Sequence, residues 1–227
     1  MKLGDTFPTF SAVTNLGKIK DFHDWIGNSW VILFSHPADF TPVCTTELAR
    51  AVQLAEKFEE RQVQMIALSC DSAESHRSWI RDILAYAEYD KCFSCSVNNF
   101  PFEIIADENR RLATELGMLD PKEKDSAGIP LTARAVFIID PEKKLRAQIL
   151  YPATTGRNFD EILRVIDSLQ LTDRMPVATP EGWNSAKEAC MVQPSVSMSE
   201  AEELFAEVDT VPLPSGKPYL RRVQIIE

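Results

Sequence analysis

The chain of 227 residues is too long for one minimal domain and too short for two full-sized ones, so one main domain with an appendage is expected. Its 44% hydrophobic and 26% charged content is that of an ordinary globular protein rather than a disordered or fibrous one. With 24 basic against 34 acidic side chains the net charge is −10, which argues against a general nucleic-acid binder or an anionic-membrane binder, because both rely on excess positive charge.

The opening residues Met1-Lys2-Leu3-Gly4-Asp5 lack the apolar stretch of a secretory signal, and the apolar run Trp30–Phe34 is far too short to span a bilayer. Five cysteines, an odd number, without an export signal are expected to be reduced thiols in a cytoplasmic compartment. The run from Trp30 to Ser35 predicts a buried strand. A helix follows over 42–60, with Leu48, Val52, Ala55 and Phe58 on one face. Val63 to Ser69 reads as the next strand, and Ser72 to Glu88 as a helix with Trp79, Ile80, Ile83 and Leu84 inward. A short strand at 102–106 and a helix at 108–116 come next, the helix stopping at Gly117.

The charged, turn-rich stretch 120–130 reads as a surface loop, and 134–139 with 145–150 as a hairpin. A helix over 159–169 closes the pattern. Strand–helix repeats ending in a hairpin and a helix make an α/β fold of the thioredoxin-like kind, a central mixed sheet flanked by helices. Such a sheet places its site at the carboxyl ends of its strands. Half of the chain's 14 prolines lie after residue 150, and the texture changes from about Leu171. One helix is expected at 200–207, opened by a capping box of Ser199 and Glu202. The expected division is therefore 1–168 and 169–227, the second part a small domain or dimer arm.

The first strand leads into Ser35-His36-Pro37-Ala38-Asp39-Phe40-Thr41-Pro42-Val43-Cys44-Thr45-Thr46-Glu47. Thr41 is a good N-cap and Pro42 suits the first helical position. Cys44 then sits in the first turn, where unpaired N–H groups and the helix dipole favour an anion. An ordinary thiol with a pKa of ~8.5 is mostly protonated at pH 7, so such a setting favours the nucleophilic form.

Pro37-x-x-x-Thr41-x-x-Cys44, with Arg134 in a later strand, resembles the active-site motif of the peroxiredoxin family. Ser35-His36-Pro37, Pro42-Val-Cys-Thr-Thr-Glu47, Tyr151-Pro-Ala-Thr-Thr-Gly-Arg-Asn158 and Leu213-Pro-Ser-Gly-Lys-Pro-Tyr219 are similar to its peroxiredoxin 6, or 1-Cys, subfamily. The resemblance spans nearly the whole chain. It implies a thiol peroxidase that reduces hydrogen peroxide and organic or lipid hydroperoxides, with Cys44 becoming a sulfenic acid. Arg134 would stabilise the thiolate and the shifting charge, Thr41 would bond the peroxide, and Pro37 would exclude water. Glu47 would orient the arginine and His36 line the pocket. The resemblance also implies a homodimer, no organic cofactor or metal, and an external thiol as reductant, with glutathione delivered by a glutathione transferase as the candidate.

Cys190 is the cysteine beyond the first domain and lacks the Val-Cys-Pro context of a two-cysteine resolving residue, so it is read as a structural thiol. Cys92-Phe-Ser-Cys95 follows a helix and precedes a strand, the reverse of a thioredoxin pair. Cys70 and His76 are the nearest further ligands, short of a structural zinc set, so the pair reads as loop thiols. Relatives in mammals carry a phospholipase A2 activity tied to Gly-x-Ser-x-Gly. Here the segment is Gly27-Asn28-Ser29-Trp30-Val31, with His23 in the histidine place and Glu142 or Asp140 for the acid. The β-branched Val31 does not suit a strained nucleophile elbow, and Ser29 reads as a turn residue. A hydrolase at Ser29 and His23 and a non-enzymatic holdase stand as alternatives to the peroxidase. Trp30, in the strand feeding the Cys44 loop, is the expected fluorescence reporter.

Overall fold

The computed structural model describes residues 1–89, 100–185 and 188–225, and the chain divides into two compact units, Met1–Phe159 and Asp160–Glu227. In chain order the first contains β1 (Ala12–Val13), β2 (Lys18–Ile19), α1 (Phe22–Ile26), β3 (Trp30–Ser35), α2 (Pro42–Gln53), α3 (Ala55–Glu60), β4 (Val63–Ser69), α4 (Ala73–Tyr89), β5 (Glu103–Ala106), α5 (Arg111–Glu115), β6 (Leu119–Lys124), β7 (Pro130–Thr132), β8 (Arg134–Ile139) and β9 (Leu145–Tyr151). After α6 (Phe159–Arg174), the second unit adds β10 (Val177–Ala178), β11 (Cys190–Val192), α7 (Met198–Leu204), β12 (Val208–Thr210) and β13 (Arg221–Val223).

Five strands form the main sheet in the order β5-β4-β3-β8-β9. β3, β4 and β5 are parallel, while β8 runs antiparallel to β3 and β9 to β8. This is the expected thioredoxin-like mixed sheet. Every residue of β3 is buried, the pattern of a central strand covered on both faces. Successive side chains alternate between those faces. Val31 and Leu33 join a cluster with Phe22 and Ile26 of α1, Ile66 and Leu68 of β4, and Leu112 of α5. From β3's other face the Phe34 ring meets Phe102 at 5.6 Å and Phe159 at 5.4 Å, both edge-on.

The topology decides where distant residues meet. β3 ends at Ser35, and because β8 is antiparallel to it, with Phe34 paired to Val136, the start of β8 at Arg134 lies at the carboxyl end of β3. β9 returns so that Tyr151 pairs with Arg134, and the chain after Tyr151 emerges there too. Ser35 fastens this corner: its hydroxyl donates to the Ala133 carbonyl at 2.7 Å and accepts from the Ala135 N–H at 3.1 Å.

Several expected elements differ in detail. The helix over 42–60 is two helices separated at Leu54. The helix at 108–116 shortens to α5, because Arg110 adopts a left-handed backbone with φ 58° and Asp107 accepts from the Leu112 and Ala113 N–H groups. The stretch 120–130 is a bulged hairpin of β6 and β7. It reads as a loop in sequence because its charged residues and prolines show no apolar alternation. The tail carries a four-stranded antiparallel sheet, β10-β11-β13-β12, whose strands are two or three residues long, too short to show a period. Its helix is capped by Ser197 with Glu200 rather than by Ser199 with Glu202, since both capping-box bonds form there. Cys92 and Cys95 lie outside the described residues.

Candidate active site

Cys44 is the third residue of α2 and is fully buried. Thr41 has the extended backbone of an N-cap, φ −112° and ψ 147°, but its side chain makes no capping bond. Its hydroxyl instead donates to the Ala38 carbonyl at 2.8 Å. The first-turn amides are thus left without the side-chain acceptor that would compete with a thiolate or a substrate oxygen. Thr41 Oγ1 keeps lone pairs with which to accept a further bond. Just before it, Phe40 sits at φ 54°, a left-handed conformation uncommon for a bulky residue. That turn swings the chain from the buried Asp39 into the helix start. Pro37 is buried in the same loop.

Arg134 reaches Cys44 from across the sheet, with Nη1 3.4 Å from Sγ. The same Nη1 donates to Glu47 Oε2 at 2.7 Å, and Nε donates to the Ala153 carbonyl at 2.7 Å. Glu47, one turn after Cys44 on α2, is also gripped by Arg157. Its backbone N–H donates to Oε1 at 2.6 Å, Nε to Oε1 at 3.0 Å and Nη2 to Oε2 at 2.8 Å. Arg157 Nη1 completes the set on the Ala135 carbonyl at 2.7 Å. Burial pushes the Glu47 carboxyl up, but Arg157 and then Arg134 outweigh it and hold the group below its ordinary value. Two guanidinium groups and one carboxylate leave a buried net positive charge beside the sulfur. Gly156 lets its loop lie against α2, since a Cβ there would come 3.3 Å from Val43 Cγ1.

Behind the loop lies a buried polar network. His36 Nε2 donates to Asp39 Oδ1 at 2.9 Å. Asp39 Oδ2 accepts from His76 Nδ1 at 2.7 Å and from the Ser75 hydroxyl at 2.7 Å. The Asp39 N–H donates to Asp71 Oδ2 at 2.9 Å. Burial raises the Asp39 carboxyl, yet the bonds from His36 and His76 win and keep it far below the usual carboxylate range. Burial draws His36 below the ordinary imidazole value, against the pull of Asp39. His36, Asp39 and Asp71 bring ligand-type atoms within 4.8 Å of one another. The Asp39 oxygens and Asp71 Oδ2 already accept from protein donors, so a metal ion there would compete with an existing network.

A buried thiol at a helix start, bonded to a guanidinium that a carboxylate and a second guanidinium hold in place, suits attack on a neutral, polarisable oxygen. Residues 3–148 match the AhpC/TSA family. Over 228 residues the chain is 62% identical to a 1-Cys peroxiredoxin of Dirofilaria immitis, covering 97% of this chain and 96% of that one. This chain belongs to the peroxiredoxins, in their 1-Cys, peroxiredoxin 6 branch. Human peroxiredoxin-6 is 56% identical over 96% of this chain and 95% of its own. Among solved structures, a cysteine-to-serine mutant of peroxiredoxin 6 from Arenicola marina is similar with a TM-score of 0.93 and 54% identity, covering 99% of this chain and 98% of that one. A yeast mitochondrial 1-Cys peroxiredoxin follows at 0.84 and 40%, covering 99% and 100%. As a member of this branch the protein is a thiol peroxidase.

Within this peroxiredoxin the fold brings together Cys44, Glu47 and Arg134, with Thr41 at the start of the same helix, Pro37 buried in the loop before it and His36 in the network behind. Arg157, Asp39 and His76 belong to the same neighbourhood; no role for Arg157 or Asp39 is legible in the sequence, which offers His76 only as a helper for a zinc set, whereas the structure places it on Asp39. Arg157 stood inside the phrase 151–158, where a buried arginine has no local signature. The hydrolase alternative gains no support. Ser29 is a bend before β3 and lines a cleft of about 780 Å³ with Trp25, Met65 and Glu103. His23, which does not line that cleft, spends Nε2 on the Phe7 carbonyl at 2.6 Å, and Asp140 pairs with Arg146 at 3.2 Å. The reporter shifts as well. Trp79 Nε1 donates to Thr45 Oγ1 at 3.1 Å and its ring lies 5.1 Å from His36, whereas Trp30 opens β3 under Arg146, 5.4 Å away.

Proposed function

We propose that Cys44 is the peroxidatic nucleophile of this thiol peroxidase. Its thiolate attacks one peroxide oxygen, the S–O bond forms as the O–O bond breaks, and water or an alcohol leaves with the second oxygen and a proton. The carrying observation is the 3.4 Å contact between Arg134 Nη1 and Cys44 Sγ at the helix start. Arg134 stabilises the thiolate and then the charge passing to the leaving oxygen, a role for fixed donors in a dry site. Thr41 Oγ1 accepts a hydrogen bond from the peroxide O–H. Pro37 covers the sulfur, and Glu47 with Arg157 fixes the guanidinium.

An external thiol then condenses with the sulfenic acid to a mixed disulfide and water, and a second thiol equivalent releases Cys44. Glutathione is the proposed reductant, supported by the similarity to a yeast relative whose resolving mechanism runs through glutathione/thioredoxin systems. Cys190 is buried, and burial raises its thiol, which suits a bystander. The substrates proposed are hydrogen peroxide and organic or lipid hydroperoxides, the compartment cytoplasmic, and the assembly a homodimer in which 1–168 is the peroxidase domain and 169–227 the dimer arm. Among the described residues no helix is long and apolar enough to cross a membrane.

The test is stopped-flow tryptophan fluorescence of the reduced protein mixed with hydrogen peroxide. A fast, peroxide-dependent change is expected in wild type and in Cys190→Ser, and none in Cys44→Ser. A change that persists in Cys44→Ser overturns the assignment of the nucleophile, and a Cys44–Cys190 disulfide in the oxidised product by mass spectrometry overturns the 1-Cys mechanism with its external reductant.

A further inference from the structure

The His76 ring is fully buried, and both of its nitrogens face acceptors. Nδ1 lies 2.7 Å from the Asp39 carboxylate and Nε2 lies 3.2 Å from the Ile105 carbonyl. Neither acceptor can donate, because a backbone carbonyl never does and Asp39 is ionised. The ring meets both only when it carries two protons. His36 is the opposite case: Nε2 carries the proton given to Asp39, and Nδ1 is buried without a partner among the described residues. The groups facing His76 are therefore known from each neighbouring element. They are Asp39 and, at 6.3 Å between ring centroids, His36 from the loop after β3, and the Ile105 carbonyl of β5; Ser75 of its own helix and Asp71 after β4 hold Asp39, and Trp79 packs on His36.

We infer that His76 is a positioning residue of the peroxidase site, an imidazolium that neutralises Asp39 and ties the loop carrying Thr41 and Cys44 to α4 and β5. The inference rests on Cys44 being the nucleophile. Asp39 stands two residues before Thr41 and five before Cys44, and Trp79, one turn after His76, holds Thr45 of the same helix start. With His76 charged, the Asp39–His36–His76 group has no net charge beside the Cys44 loop. With His76 neutral, a buried negative charge opposes the formation of a thiolate.

The decisive experiment combines ring nitrogen NMR with oxidation kinetics on the full chain. The chain holds three histidines, so spectra of wild type, His36→Asn and His76→Asn assign the rings. At pH 7 the expected result is two protonated nitrogens on His76 and one protonated, one bare on His36. A bare nitrogen on His76 overturns the inference whatever the kinetics show.

In kinetics, His76→Phe is expected to lower the second-order rate constant for Cys44 oxidation by about tenfold, because it strands the buried carboxylate. The double variant Asp39→Asn, His76→Phe removes the stranded charge and is expected to recover most of that loss. An unchanged rate in His76→Phe, or no recovery in the double variant, overturns the inference. Peroxide reactivity that survives Cys44→Ser would overturn the nucleophile assignment instead, so the two failures are distinguishable.

Discussion

At the scale of single residues, the site is organised around shared acceptors. Glu47 offers two oxygens to two arginines, and Arg134 divides one nitrogen between that carboxylate and Cys44 Sγ. Removing Arg134 therefore subtracts the donor to the sulfur and leaves Arg157 alone on Glu47. Arg134→Gln is expected to lower the rate constant for peroxide reduction by about 10²- to 10³-fold, the usual effect of deleting one fixed donor at a developing charge. Arg134→Lys keeps the charge without the planar fork that serves Ala153 and Glu47 together, so only partial recovery is expected. Stopped-flow rates of both variants at one pH check this. Cys70 shows the contrast, since burial pushes its thiol up to about 11 and leaves it protonated at neutral pH.

At the scale of elements, α2 and α7 use their N-termini differently. In α7 the Ser197 hydroxyl accepts from the Glu200 N–H while the Glu200 carboxylate accepts from the Ser197 N–H, closing the end. In α2 Thr41 turns its hydroxyl away to Ala38 and leaves the end open. A structural helix closes its first turn, whereas one that holds an anion keeps those amides available. Ser197→Ala is expected to cost about 1 kcal/mol of stability, read as a lower urea midpoint with an unchanged slope. The rate of Cys44 oxidation should stay at the wild-type value.

At the scale of the whole molecule, buried ionised groups set the response to pH. Glu47 and Asp39 titrate lower in the folded chain than in the unfolded one. Their contribution is complete above the ordinary carboxylate range, near pH ~4, and is lost as pH falls through that range and below it. His36 is also lowered by burial. The unfolded chain then takes up a proton below pH ~6.5 that folded His36 refuses, so stability falls in acid for this group too. All three act in one direction. Urea midpoints should decline as pH falls below about 4.5, and Glu47→Gln should flatten that decline while lowering the midpoint at pH 7.

The sequence by itself determined the elements with strong local signals. β3, β4 and β8 lie at their expected residues because unbroken apolar runs have few other solutions, and Pro42 with Thr41 marks the start of α2. The phrase around Cys44 likewise named Pro37, Thr41, Cys44 and, through the family resemblance, Arg134. Two- and three-residue strands of the tail carry too few side chains to show a period, and the β6–β7 hairpin is hidden by its charged face. The partners of Glu47 and Asp39 were settled only by tertiary structure. Arg157 is 110 residues from Glu47 and His76 is 37 from Asp39. Such pairs form because antiparallel β8 and β9 and the crossover through α4 bring distant segments to the carboxyl end of β3. A buried charge recruits whatever partner the topology delivers there, and no local pattern records which residue that will be.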